Sequence, residues 1–150
     1  MRQHLTLFKT ALIGLLLAIS ALIFGGPWVL YQMGLTHLEG KPTLPENMIH
    51  LAEQRQLWQQ AGYAGEPELE ELNPVSYLLT AGNQEAPPAS TMFAWRIVSA
   101  YQRERAGHDG IFWKQVSGSA LAIWVTRHWT IEQILSKVAA QQGAATQNNK

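Results

Sequence analysis

Hydrophobic and polar positions fall into two regimes along this chain. Between residues 10 and 36 no side chain carries a formal charge, and the apolar stretch 11–23 (ALIGLLLAISALI) runs on through Phe24, Trp28, Val29, Leu30 and Tyr31. That is enough to cross a bilayer core, which needs roughly 20 apolar residues. Beyond it, apolar residues recur at helical rather than alternating spacing, and no strand pattern or internal repeat competes. The pattern predicts an all-α protein, an N-terminal transmembrane helix followed by a small helical domain.

A cleaved signal peptide is the rival reading of the first segment, because Ala18-Ile19-Ser20 offers small residues at a usable spacing. A secretory apolar core is only about 7–15 residues and then turns polar, whereas this one continues past Pro27. Length therefore favours an uncleaved signal anchor. Arg2 and Lys9 precede it and no acidic residue does, which orients the N-terminus to the cytoplasm and the remainder outside. Trp28 and Tyr31 fall where an aromatic belt meets the outer headgroups, and Gly25-Gly26-Pro27 is expected to loosen or kink that end of the helix. The chain divides into a basic N-terminus (1–9), an anchor (10–36), a linker (37–43), a helical domain (44–140) and a polar, disordered tail (141–150).

Within the domain, Thr43-Leu44-Pro45-Glu46 has the form of a capping box and predicts a helix to about Ala61, stopped by Gly62. Apolar residues lie on both of its faces, so Glu53 is expected to be partly enclosed. Asn73-Pro74 predicts a cap and first-turn proline for a short helix over 75–80, which the stretch 82–88 then breaks. Ser90 is expected to cap a helix reaching about Arg105, with Met92, Phe93, Ile97, Ala100 and Tyr101 facing the core. After the turn Gly107-His108-Asp109-Gly110 comes a helix over 111–128, where Ser117-Gly118-Ser119 marks close packing or a break. Thr130-Ile131-Glu132-Gln133 is a second capping box, opening a last helix to about Ala140.

Charge and composition narrow the chemistry. Eleven basic and eleven acidic residues cancel, and every acidic one follows the anchor. The outer domain is thus slightly acidic, without the basic stripe that nucleic acid requires. There is no cysteine, hence no disulfide framework or thiolate metal site. His4, His37, His50, His108 and His128 lack paired ligand spacing and read as surface or polar-contact residues.

One segment carries more specific information. In Ala52-Glu53-Gln54-Arg55-Gln56-Leu57-Trp58-Gln59-Gln60-Ala61-Gly62 the chain resembles the first motif of the biosynthetic peptidoglycan transglycosylases, Glu-Asp-x-x-Phe-x-x-His-x-Gly. These form the lysozyme-like glycosyltransferase domain of bifunctional penicillin-binding proteins. Glutamate and glycine keep their spacing at Glu53 and Gly62, while Gln54, Leu57 and Gln60 replace the aspartate, phenylalanine and histidine. Ser90-Thr91 is similar to the start of the family's Ser-Thr-x-Thr-Gln-Gln motif, and the stretch 126–135 to its basic, aromatic, acidic and Ile-Leu sequence. The family's second catalytic glutamate lies in a Lys-x-x-Glu element, and the count from Lys114 lands on Ser117. The resemblance covers residues 44–138, and the family continues beyond this stretch into a lobe that completes its cleft. It implies a degenerate, truncated relative, single-pass in a bacterial inner membrane with a periplasmic domain.

Glycosyl transfer needs a base for the acceptor hydroxyl, and a glutamate serves best when burial raises its pKa. Glu53 is the catalytic candidate if the chain is active. Leaving-group charge needs cations or convergent donors, or a divalent metal ion in an active enzyme, and otherwise no cofactor is expected. By the resemblance, Gln54, Gln60, Ser90, Thr91, Arg96 and Lys114 are the ligand-binding candidates. A muramidase would need a second carboxylate about 5–9.5 Å away, from Glu66, Glu68, Glu70, Glu71 or Glu85. Of the later tryptophans Trp58, Trp95, Trp113, Trp124 and Trp129, the two beside turns, Trp113 and Trp129, are expected to be the more exposed.

Two function classes follow. The favoured one is a non-enzymatic, membrane-anchored module binding a peptidoglycan-related ligand, a lipid-linked precursor or another envelope protein. The alternative is an active peptidoglycan glycosyltransferase or muramidase built on Glu53.

Overall fold

The computed structural model describes residues 2–80, 87–105 and 110–147. Among the described residues the fold is all-helical: α1 (Arg2–Thr36), α2 (Leu51–Gln60), α3 (Pro74–Thr80), α4 (Ala89–Glu104), α5 (Ile111–His128) and α6 (Ile131–Gln147). The break expected within 82–86, the turn at 107–109 and the last residues 148–150 lie outside the described residues, as does Glu85.

Helix α1 is 35 residues long, so it extends about 52 Å. It stays helical through Pro27, although proline removes one backbone donor. Its segment Ala11–Thr36 has a mean hydropathy of 2.1, making it long and apolar enough to cross a membrane. Leu15, Leu17, Leu22 and Phe24 project without protein cover. The last turns behave differently, because they form a wall of the domain: Tyr31 is buried with Ala120 and Ile123, and Leu35 packs beside them.

The α1–α5 pairing is antiparallel. Trp28 meets Arg127 (guanidinium carbon 5.6 Å from the ring centroid), Gly34 meets Val116 and Ala120, and His37 stacks on Trp113 at 4.5 Å. Moving up α1 therefore means moving back along α5. Two glycines permit the close approaches: Gly34 against α5, and Gly118 of α5, whose missing Cβ leaves room for Trp95 and Gln102 of α4. The Ser117-Gly118-Ser119 segment thus marks tight helix packing, and α5 is unbroken.

Residues 37–50 form an extended strap across the domain, where a polar linker and the start of a helix were expected. The Tyr101 hydroxyl donates to the Glu39 carbonyl at 3.1 Å, and Gly40 takes the left-handed φ of +87° beside it. Lys137 Nζ donates to Thr43 Oγ1 at 3.3 Å, and the Ile49 amide donates to Ser136 Oγ at 3.0 Å. Helix α2 begins only at Leu51, after His50 in extended conformation. The cause is local as well as tertiary, because Pro45 disfavours helical geometry at Leu44, the first position that a box on Thr43 requires. The opposite end of α2 follows expectation. Gly62 (φ +89°) donates to the Gln59 carbonyl and Tyr63 to that of Trp58, a complete Schellman stop.

The core joins α2, α4, α5 and α6. Phe93, Ile97, Val125, Ile134, Leu135 and Val138 are buried together, and Trp58 stacks on Phe93 at 5.6 Å and 13°. Full burial of such side chains stabilises by about 1.5–3 kcal/mol each. On α4 the expected set needs correction: Phe93, Ile97 and Tyr101 are buried, but Met92 is exposed, and Ala94 and Val98 complete the face. Helix α4 starts at Ala89 with Pro88 as its cap, so Ser90 lies inside it. Trp129 is buried rather than exposed, edge-on to Trp124 beneath the α5–α6 turn, while Trp113 is half-covered by His37.

Both remaining caps form as expected. Asn73 Oδ1 accepts from the Val75 amide at 2.8 Å. Thr130 Oγ1 accepts from the Gln133 amide at 3.3 Å, and Gln133 Oε1 from the Thr130 amide at 2.9 Å. Helix α6 then runs to Gln147, beyond the expected end near Ala140, through alanines and glutamines that favour helix.

Candidate functional site

The residues singled out by the transglycosylase resemblance occupy separate parts of the molecule. Glu53 is in the first turn of α2 and exposed, not enclosed, because the apolar side of the helix turns Trp58 inward instead. Gln54 is buried, and its Nε2 donates to the Ile49 carbonyl at 3.0 Å, closing the corner between strap and helix. Gln60, the last residue of α2, is exposed.

Ser90 is buried and doubly engaged with one residue of the preceding loop. Its Oγ accepts from the Glu70 amide at 3.1 Å and donates to the Glu70 carbonyl at 3.3 Å. Thr91 is also buried, and its Oγ1 has no hydrogen-bond partner among the described residues. Arg96 is exposed, with its guanidinium over the Phe93 ring at 5.2 Å. Lys114 is exposed in the first turn of α5, where its carbonyl accepts from Gln102 Nε2 at 2.9 Å.

That last bond sets a distance. Gln102 and Ser90 are on the same helix, separated by about 18 Å at 1.5 Å per residue, so Lys114 and the Ser90-Thr91 pair lie at opposite ends of the α4–α5 unit. Of the carboxylates considered as partners for Glu53, Glu66 is ion-paired with Arg55 at 2.8 Å, and Glu68, Glu70 and Glu71 are exposed. Among the described residues no group of three or more His, Cys, Asp or Glu side chains could hold a metal ion.

Among the concavities of the described residues, two are lined by residues too far apart in sequence to announce themselves, and a third, of about 380 Å³ between α4 and α6, has Arg96 in its wall. One is a polar hollow of about 460 Å³ under the strap, where Lys41, Arg105 and Lys137 face Glu46 and Glu104 over a floor containing Ile97 and Tyr101. Two of its cations are held on aromatic faces. Arg105 lies 4.1 Å from the Tyr101 centroid and Lys41 Nζ 4.7 Å from that of Trp124. The other is an apolar groove of about 240 Å³ between α1, α3 and α5, lined by Pro27, Leu30, Tyr31, Leu78 and Ile123 among others.

Electrostatically, Glu132 departs from the ordinary behaviour of a glutamate. The Thr130 hydroxyl, and then its own backbone amide at the start of α6, hold its carboxyl below the usual glutamate range. This is a capping effect, and Glu132 lines neither the polar hollow nor the apolar groove. No protein-family model, no curated protein and no solved structure matches this chain.

Proposed function

We propose that this chain is a single-pass membrane protein with a cytoplasmic N-terminus, whose helical domain is a non-catalytic binding module of the bacterial cell envelope. The observation that carries the reading is the double role of α1. Its apolar length suits a bilayer, and its final turns supply Tyr31, Gly34 and Leu35 to the packing of α5. A segment destined for removal would take a wall of the domain with it. Retention as an anchor keeps that wall in place.

The non-catalytic part of the reading is supported by what the motif residues do. Gln54 Nε2 and Ser90 Oγ are spent on backbone groups, and Lys114 lies far from Ser90 and Thr91. In a remodelled transglycosylase-like domain these positions act as scaffold. The binding surface assigned here is the hollow under the strap. Its three cations and two carboxylates suit a ligand rich in hydroxyl and carboxylate groups, as peptidoglycan fragments are.

The test uses the full chain in detergent, supplied with lipid-linked disaccharide precursor or isolated cell wall. Wild type and Glu53→Gln are expected to bind the wall equally and to produce neither polymer nor cleavage. Glycan synthesis or cleavage that disappears in Glu53→Gln would establish the enzymatic alternative instead.

A further inference from the structure

We infer that the hollow under the strap takes the peptide portion of a peptidoglycan fragment, with Lys41, Arg105 and Lys137 on its free carboxylates and Glu46 and Glu104 on a free ammonium group. The proposed role of the hollow as the binding surface is the premise, and the peptide is what its own groups select. Charges of both signs line it, yet among the described residues none of the three cations is ion-paired with a carboxylate. Each is held by a different group: Lys41 lies over Trp124, Arg105 over Tyr101, and Lys137 Nζ donates to Thr43 Oγ1. Glu46 and Glu104 are left exposed. Charges kept apart in this way stay available to a ligand that carries both signs. Three cations against two carboxylates suit a ligand with more carboxylates than ammonium groups. A peptide bearing acidic and diamino residues has that balance.

The aromatic and backbone groups point the same way. Tyr101 is the aromatic residue of the lining, and it offers no open platform for a sugar ring: it is 7% exposed, Arg105 covers one face, and its hydroxyl is committed to the Glu39 carbonyl. The strap, by contrast, is extended, and among the described residues no backbone amide or carbonyl of residues 41–47 has a partner within the protein. An extended segment of this kind pairs with a second extended chain through main-chain hydrogen bonds, while captured end groups set its direction. Asn47 and Gln141 add side-chain amides to the same lining. At about 460 Å³ the hollow has the size of a small-ligand site, which suits a few peptide residues and excludes a folded partner.

Isothermal titration of the full chain in detergent tests this with four probes: the disaccharide-tripeptide released from cell wall, its bare disaccharide, N-acetyl-alanyl-γ-glutamyl-diaminopimelate with its one free amine, and the same tripeptide with that amine acetylated. The free-amine tripeptide is expected to bind within about threefold of the disaccharide-tripeptide, the acetylated tripeptide at least about tenfold more weakly, and the bare disaccharide not measurably. Glu46→Gln together with Glu104→Gln is expected to lose that same factor towards the free-amine tripeptide and nothing towards the acetylated one, a coupling that a merely structural role of two exposed carboxylates would not give. Equal binding of the bare disaccharide and the disaccharide-tripeptide overturns the peptide assignment and leaves the binding module standing, as does isolated wall that is retained while no fragment binds. Equal affinity for the two tripeptides overturns the ammonium contact and the inference with it. Failure to bind either the fragments or isolated wall overturns the proposed function itself, and the peptide assignment falls with it.

Discussion

Gly34 lies directly against the backbone of Val116. A Cβ placed on it would sit 2.8 Å from the Val116 carbonyl oxygen and 2.7 Å from the Ala120 Cβ. Helices α1 and α5 thus meet at a contact with no room for a methyl group.

Gly34→Ala is therefore expected to destabilise the domain by about 1–3 kcal/mol, despite the better helix propensity of alanine, because α1 and α5 must move apart. Thermal unfolding of the detergent-solubilised chain checks this. A midpoint equal to or above that of wild type would mean that the two helices separate freely.

Replacing Phe93 by alanine removes the ring stacked on Trp58 and the centre of the main core. The expected cost is about 3–5 kcal/mol, with loss of the near-ultraviolet circular dichroism of the packed tryptophan. Retention of that signal at an unchanged midpoint would show that α2 is held some other way.

Ser90 and Glu53 separate scaffold from chemistry. Ser90→Ala leaves the Glu70 amide without its acceptor in a half-buried place, at an expected cost of about 1–3 kcal/mol. Glu53→Gln, on the exposed side of α2, is expected to stay within about 0.5 kcal/mol of wild type. Denaturant unfolding of both variants is the measurement, and a reversed order would contradict these roles.

The Thr130 box has a pH signature. Because the folded carboxyl of Glu132 is held below its ordinary value, the deprotonated form favours the folded state. That contribution is present above the unfolded value, near pH 4.3, and is lost as pH falls through the depressed folded value. Thr130→Ala should return the Glu132 carboxyl towards the ordinary range in a carbon-detected NMR titration and cost about 1 kcal/mol. An unmoved titration would remove the hydroxyl as its cause.

Wherever a local rule was sufficient, the structure was readable from the chain. Helix α5 occupies its expected residues, Asn73 and Thr130 cap as their spacing implies, and Gly62 stops α2. The failures come from contacts between distant segments. Ser136 and Lys137 of α6 draw the strap into an extended path where Thr43 seemed to start a helix, and the α5–α6 turn folds Trp129 under Trp124. The candidate site divides in the same way. Glu53, Gln54 and Ser90 could be named from motif spacing, but their environments could not. The hollow formed by Lys41, Arg105 and Lys137 depends on three segments whose proximity no spacing rule encodes.

If the proposed binding role holds, the strap also determines how this protein searches for its ligand. A tethered module explores a volume set by the length and stiffness of its linker. Here residues 37–50 are fastened to α4 and α6, and α1 is packed on α5, so the domain has no independent reach. With α1 seated in a bilayer, its search becomes two-dimensional. On the proposed reading, lateral diffusion carries the hollow at one fixed altitude, and a ligand must present itself in that plane to be caught.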